Sequence, residues 1–172
     1  TELVDRLQAD GLIIHVNPMQ EWLQPEGDRF KRSSLDIIKE VLEKTDLTIN
    51  VKEVGQGMGP ASLKALLELP IGAIEFGAFG GTNFAKLELL RSSEARKSYY
   101  EPISFIGHTA EEMVSFINDI VAETDVKCRQ LIISGGLTSF IDGYYLMNKS
   151  ALQAVYGQAS SFLKHANESY EN

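Results

Sequence analysis

The chain has 172 residues and a formal net charge of −8, because 24 acidic side chains oppose 16 basic ones. This acidic excess argues against nucleic-acid binding, in which Lys and Arg neutralise phosphates. A composition of 44% hydrophobic and 23% charged residues is typical of an ordinary folded domain. The single cysteine, Cys128, excludes an internal disulfide and a cysteine-based zinc site within this chain. Apolar runs fall far short of the ~20 residues of a membrane-spanning helix, so we expect a cytoplasmic protein with no membrane partner.

Short apolar runs alternate with stretches of helical periodicity, a pattern that indicates repeated βα units and a parallel sheet. In chain order the pattern predicts a strand at residues 11–16, a helix at 34–44, a strand at 47–51, a helix at 60–69 and a strand at 71–76. After a long uncertain segment it predicts a helix at 110–122, a strand at 130–133, a helix ending near 147, a strand at 152–156 and a helix at 160–166. Residues 17–32 are interpreted as a polar loop.

Polar residues or glycines lie at the end of each predicted strand or directly after it. They are His15 with Asn17, Lys52 with Glu53, residues 77–82, residues 134–136, and Gly157 with Gln158. In parallel α/β proteins the carboxyl ends of the strands form the ligand-binding edge. Five coincident strand ends therefore predict a functional site at that edge.

Two of these strand ends favour an anion. Lys52 follows an apolar strand, where an ammonium group needs a negative partner, either a phosphate or cofactor ring, or Glu53 or Glu26. The loop at residues 134–136 leads into a predicted helix and can offer backbone N–H groups to a phosphate, although short glycine loops also serve as plain turns. The second small-residue loop, residues 157–160, strengthens the phosphate interpretation.

Two other features leave alternatives open. His15 is either a ligand-binding histidine or a satisfied core histidine. The loop that contains Glu21, Glu26 and Asp28 is either a solvated acidic loop or a Mg²⁺ site completed by substrate phosphate.

Several motifs together resemble the flavin-dependent type 2 isopentenyl diphosphate isomerases. The resemblance rests on His15-Val-Asn-Pro-Met-Gln-Glu21, Gln24-Pro-Glu-Gly-Asp28, Val51-Lys-Glu-Val-Gly55, Gly80-Gly-Thr-Asn-Phe84 with Glu88, and Ser134-Gly-Gly136. It covers nearly the whole chain. It implies an eight-stranded (β/α)₈ TIM barrel, of which residues 1–172 form about the C-terminal half of a single FMN-binding domain.

The resemblance also implies an activity and its cofactors. The family interconverts isopentenyl diphosphate and dimethylallyl diphosphate, with reduced FMN as acid and base, NADPH as reductant and Mg²⁺ on the substrate diphosphate. By resemblance, the substrate-site residues are His15, Asn17, Gln20 and Glu88, and Glu21 is the Mg²⁺ ligand. The residues implied to contact FMN are Lys52, Thr82, Gly135, Gly136, Gln158 and Ala159. A homo-oligomer that binds a small-molecule substrate is expected.

Two alternatives accompany this interpretation. One is another FMN-dependent TIM-barrel oxidoreductase of the 2-hydroxy-acid dehydrogenase type, and the other is a non-catalytic flavin-binding remnant. The chain opens on Thr1 and shows only about five strand patterns, so we expect a missing N-terminal part and no activity from these residues alone.

Overall fold

The computed structural model describes residues 2–26 and 31–169. Its five strands are β1 (Gly11–His15), β2 (Thr48–Lys52), β3 (Ile74–Glu75), β4 (Gln130–Ser134) and β5 (Gln153–Gly157). The helices are α1 (Glu2–Leu7), α2 (Pro18–Leu23), α3 (Ser34–Lys44), α4 (Pro60–Leu67), α5 (Phe84–Leu90), α6 (Glu94–Tyr100), α7 (Ala110–Glu123), α8 (Phe140–Lys149) and α9 (Ser160–Glu168). A short 3₁₀ segment, Glu101–Phe105, follows α6.

All five strands form one parallel sheet in the order β1-β2-β3-β4-β5, so each strand pairs with the next strand of the chain. Within the described residues β1 pairs only with β2 and β5 only with β4, which leaves both edges open. Closing a barrel requires further strands between those edges. The expected (β/α)₈ TIM barrel is therefore corrected for this chain: the described residues form a small α/β domain with an open five-stranded sheet.

The hydrophobic core lies between one face of the sheet and the helices. Ile49 and Val51 of β2 and Leu131 and Ile133 of β4 are all buried in it. Because strand side chains alternate between faces, the neighbouring positions point to the other side. On that side Ile13 of β1 and Val155 of β5, at opposite edges of the sheet, are 52% and 57% exposed.

The predicted periodic elements are largely confirmed. The Thr109–Glu112 capping box begins α7, and Pro60 occupies the first turn of α4. The third strand is much shorter than predicted, with only Ile74 and Glu75 in the ladder. The residues of the expected polar loop include α2, and the uncertain segment contains α5 and α6. These short helices are stabilised by packing: Leu23 of α2 and Leu89 of α5 share a second small apolar cluster.

None of the helices within the described ranges is long and apolar enough to cross a membrane.

Candidate functional site at the strand ends

The ends of three neighbouring strands place polar side chains in one row. His15 is in register with Lys52, and Lys52 is in register with Glu75. The Ser134 hydroxyl at the end of β4 donates to Glu75 Oε1 at 3.2 Å and accepts from the N–H of Gly77 at 3.1 Å. The row lies on the face opposite the helices, because the alternate positions of β2 are buried in the core.

Lys52 has no carboxylate partner among the described residues. Its Nζ donates to the main-chain carbonyl of Glu53 at 3.0 Å rather than to the Glu53 carboxylate. Glu26 instead pairs with Arg91, at 2.5 Å between Oε1 and Nη2. Both carboxylate partners considered from sequence are therefore wrong, and the ammonium group is available to an anion.

The Glu53 carboxylate organises the loop after β2. Its Oε2 accepts from the backbone N–H groups of Val54, Gly55, Gln56 and Gly57 at 2.6–2.9 Å. The residue is only 4% exposed, and burial raises the pKa of its carboxyl against the opposing effect of those four hydrogen bonds. This single carboxylate satisfies backbone donors of a tight turn beside Lys52.

Four of the residues selected by resemblance form one hydrogen-bonded group, which we term the amide–carboxylate cluster: Asn17, Gln20, Glu21 and Glu88. Asn17 Nδ2 donates to Gln20 Oε1 at 3.2 Å and to Glu21 Oε1 at 3.1 Å. Gln20 Nε2 then donates to Glu88 Oε1 at 3.0 Å, which joins α2 to α5. The structure therefore brings these positions together across a separation of 68 residues.

Glu88 is the buried end of this cluster. It is 4% exposed, and it also accepts from Gln24 Nε2 at 3.0 Å and from Arg91 Nη1 at 2.7 Å. Burial alone raises the pKa of the Glu88 carboxyl, but hydrogen bonds from Gln24, Gln20 and Arg91 outweigh it and lower the pKa. Glu88 is therefore an ionised acceptor at neutral pH.

His15 lies between opposing charges. The pKa of its imidazole is lowered, first by burial and then by the positive charge of Lys52, while the negative charge of Glu21 acts in the opposite direction. His15 is exposed and belongs to an edge strand of the described sheet, so it is not a satisfied core histidine. A neutral imidazole at this position can accept or donate a proton near neutral pH.

Two glycine loops meet at the same edge, and we call Gly80, Gly81, Gly135 and Gly136 the glycine cradle. A Cβ added at Gly81 would lie 3.1 Å from the nitrogen of Gly136, and one added at Gly135 would lie 2.2 Å from the carbonyl oxygen of Ala78. Gly135 and Gly136 have φ values of +90° and +72°, which glycine adopts readily. Among the described residues no hydrogen bond uses the N–H groups of the cradle, so they are free to bind an anion.

The remaining selected residues flank this edge. Thr82 is exposed, and its carbonyl oxygen lies 2.5 Å from where a Cβ on Gly55 would stand, so the loops after β2 and β3 touch. Gln158 and Ala159 follow Gly157, which is in register with Ser134. Thr138 is hydrogen-bonded to Asp142 through both its N–H and its hydroxyl, and so belongs to the start of α8.

The acidic loop provides fewer metal ligands than its composition indicates. Glu26 is engaged by Arg91, and Asp28 lies outside the described residues. Within residues 2–26 and 31–169 no group of three His, Cys, Asp or Glu side chains is arranged to hold a metal ion. A divalent cation at Glu21 would therefore take most of its ligands from a bound substrate and from water, which is usual for Mg²⁺.

Sequence reasoning missed Gln24, Arg91 and the Glu53 turn. One signal was present: Pro18 suits the first turn of a helix, and positions 17, 20, 21 and 24 then share one helical face. Glu88, one partner of Arg91, lies three positions before it and was a local signal, whereas the other partner, Glu26, is 65 positions away and gave none.

The described strands form a parallel α/β domain whose strand ends bring polar side chains and glycine N–H groups to one edge, the edge at which proteins of this class bind ligands. The chain is 33% identical over 167 residues to an isopentenyl-diphosphate delta-isomerase of Rickettsia bellii, a match that covers 97% of this chain and 47% of that protein. It is 36% identical over 166 residues to the Bacillus pumilus protein of the same name, covering 95% of this chain and 43% of that protein. A third similar protein, from Rickettsia typhi, is 32% identical over 166 residues, covering 95% of this chain and 46% of its own length.

The chain thus spans about half the length of the curated relatives it matches. No family model matches it. The relatives are named for the isomerase without a flavin-dependent type, and the described fold is an open sheet. We therefore correct the assignment to the flavin-dependent type 2 family to a coarser one: similarity to isopentenyl-diphosphate delta-isomerases.

Proposed function

We propose that this chain contributes the strand-end site of an isopentenyl-diphosphate delta-isomerase, an enzyme of isoprenoid biosynthesis that interconverts isopentenyl diphosphate and dimethylallyl diphosphate. The observation that carries the proposal is similarity to proteins of that name across 95–97% of the chain. The matched region contains all five strand ends. The names favour an isomerase over the dehydrogenase-type and non-catalytic alternatives.

The reaction sets clear demands on the site. A double bond moves when a proton is added at one carbon and another proton leaves from a second carbon, with no net redox change. His15, whose pKa is lowered, can hold or accept a proton at neutral pH. Gln20 is oriented by its bond to the buried Glu88 carboxylate, so its amide is presented at a fixed position beside Asn17.

The diphosphate needs positive charge and N–H donors. The Lys52 ammonium group and the free N–H groups of the glycine cradle are the groups that would supply them. Mg²⁺, when bound, neutralises phosphate charge, and Glu21 is the residue that would hold it together with the substrate. Its side chain is already oriented by the Asn17 amide.

Binding of FMN and NADPH stays a prediction. It concerns Lys52, Thr82, Gly135, Gly136, Gln158 and Ala159, and it is tested by the visible absorption of flavin that stays with the purified protein. A cytoplasmic location and a homo-oligomer likewise stay predictions. The fractionation of cells and the mass of the native protein test them.

The proposal itself is tested by conversion of isopentenyl diphosphate, measured on the longest natural polypeptide that carries this sequence, with Mg²⁺ and with or without FMN and NADPH. We expect conversion, a fall of at least about tenfold in Lys52→Ala, and a raised Mg²⁺ requirement in Glu21→Gln. The matched controls Lys39→Ala and Glu43→Gln, exposed positions of α3, should behave as the parent. Absence of conversion under every cofactor condition would overturn the proposed function.

A further inference from the structure

A cavity of about 860 Å³, open to solvent on one side, lies beside the candidate site and is bordered by α2, α3, α4 and the segment that precedes α7. Ligand cavities are usually about 300–1,000 Å³. The strand-end residues His15, Lys52 and Glu75 do not line it. Apart from Glu53, which holds the turn after β2, the cavity shares none of the strand-end residues named above, and the proposed function does not use it.

The wall of the cavity is mainly apolar. The side chains with the largest apolar bodies come from four different segments and include Met19, Trp22, Ile38, Met58, Leu66 and Ile106. Trp22 and Ile106 are 53% and 60% exposed, so two large apolar side chains stand at the cavity without being covered by the described chain. An apolar ligand body would remove this surface from water.

The described wall of the cavity favours an uncharged ligand. Among the residues that the structure describes, no Lys or Arg lines the cavity, and Glu53 is the only carboxylate in its wall. The Glu53 carboxylate already accepts four backbone N–H groups and is 4% exposed. In this part of the wall an anion would find no Lys or Arg, and a cation would find only this occupied carboxylate.

His108 gives the cavity one unused polar group. Its backbone N–H donates to the Gln56 carbonyl and its carbonyl accepts from the N–H of Phe79, each at 2.8 Å, so its main chain is fixed. Its imidazole stands edge-on to Phe116 with the ring centres 5.2 Å apart. Within the described chain the ring nitrogens make no hydrogen bond. Nε2 lies 3.2 Å from where a Cβ on Gly59 would stand, and Gly59 also lines the cavity.

We infer that this cavity binds an uncharged amphiphile with an apolar chain and one hydroxyl group. The apolar chain packs against Trp22, Met19 and Leu66, and the hydroxyl hydrogen-bonds to His108 Nε2. This inference does not depend on the proposed function, because His15, Lys52, Glu75 and the glycine cradle take no part in it.

The test uses octan-1-ol as the probe and Trp22 as the reporter, since Trp22 is the single tryptophan of the 172-residue chain. We expect a saturable change in tryptophan fluorescence. Octanoate, which has the same chain length and a charged end, should bind at least about tenfold more weakly, because no Lys or Arg of the described residues lines the cavity. A linear, unsaturable response to octan-1-ol, or equal binding of octanoate, would overturn the inference without requiring any variant.

Two variants locate the ligand. His108→Phe should weaken octan-1-ol binding about threefold to tenfold, the worth of one neutral hydrogen bond. Ala65→Phe, in the cavity wall on α4, should abolish saturation by filling the space. Lys64→Ala, exposed on the same helix and outside the wall, is the matched control and should bind as the parent does. Unchanged binding in Ala65→Phe, with an unaltered far-ultraviolet dichroism spectrum, would place the ligand elsewhere.

Discussion

Gln20 and Glu88, 68 positions apart in the chain, are joined by a hydrogen bond of 3.0 Å from the Gln20 amide to the Glu88 carboxylate. This bond ties the first strand-end helix, α2, to α5, which follows the glycine loop after β3. Gln20 is thereby held by a partner that is itself fixed by Arg91 and Gln24. Loss of the Glu88 charge should therefore affect both the stability of the domain and the orientation of the Gln20 amide.

Glu88→Gln should lower the free energy of unfolding by about 1–3 kcal/mol at pH 7. The buried carboxylate accepts hydrogen bonds from three donors, whereas the NH₂ group of a glutamine would face one of those donors and could not accept from it. The pKa of Glu88 is lowered in the folded state, so its contribution is complete above the unfolded value of about 4.3 and is lost as the pH falls through the folded pKa. Urea unfolding at pH 7 and pH 3 measures this. The difference between parent and variant should shrink at pH 3. A difference that is equal at both pH values would contradict the assignment, and Glu43→Gln serves as the exposed control.

The pKa of His15 should move in opposite directions in two variants. Burial is the first cause of its lowered value, Lys52 lowers it further and Glu21 raises it. Lys52→Met should therefore raise the pKa of His15, and Glu21→Gln should lower it. Titration of the His15 ring signals by NMR measures both. If neither variant shifts the titration, or if both shift it in the same direction, the row of strand-end charges does not act on His15 as described.

Gly135→Ala should disrupt the glycine cradle. The residue has a φ of +90°, and a Cβ would approach the Ala78 carbonyl oxygen to 2.2 Å and the Ala78 nitrogen to 2.4 Å. We expect a loss of more than about 1 kcal/mol in unfolding free energy, since alanine at positive φ is strained even where space is available. Gly157→Ala is the matched control at the next strand end, where the nearest atom would be 3.5 Å away in ordinary contact. Equal stability of the two variants in thermal unfolding would show that the cradle relaxes at little cost.

Glu53→Ala should destabilise the turn after β2. In this variant four backbone N–H groups lose the carboxylate oxygen that they share. Because Glu53 is only 4% exposed, water has little access to replace that acceptor. A loss of about 2 kcal/mol or more is expected from thermal unfolding. Exposed Glu68→Ala, just after α4, should stay within about 0.5 kcal/mol of the parent. A similar, small effect in both variants would mean that the turn does not depend on the carboxylate.

Local patterns predicted the periodic part of the fold and failed where tertiary contacts decide the structure. The helix that begins after Thr109 and the strand that ends at Ser134 were predictable because a capping box and an apolar run are local features. The helix from Pro18 to Leu23 was missed because its polar face resembles a loop, and its stability comes from burying Leu23 against Leu89. The open sheet replaced the expected barrel because closure depends on partners for β1 and β5, which no local pattern in the chain reports.

The sequence predicted where the candidate site residues lie in the fold better than it predicted their hydrogen-bond partners. The predicted strand ends were enough to select His15, Lys52 and the glycines as candidate site residues, because parallel strands bring their carboxyl ends to one edge of a sheet. Partners were harder to predict: Lys52 and Glu53 are adjacent in sequence, yet the ammonium group binds the Glu53 carbonyl while the carboxylate turns to the backbone. Side-chain hydrogen bonds between adjacent residues depend on loop geometry, which the sequence alone does not show.

The alignment of His15, Lys52 and Glu75 across three strands has a consequence for how the sheet assembles. Side chains alternate strictly along a strand, so a slip of β2 by one residue against its neighbours would turn Lys52 into the apolar layer and bring Ile49 or Val51 out of it. An unpaired ammonium group in that layer costs several kcal/mol, on the order of the stability of a whole domain. The row of His15, Lys52 and Glu75 therefore disfavours misaligned strand pairings, so the same polar residues that form the candidate site also help to fix the register of the sheet.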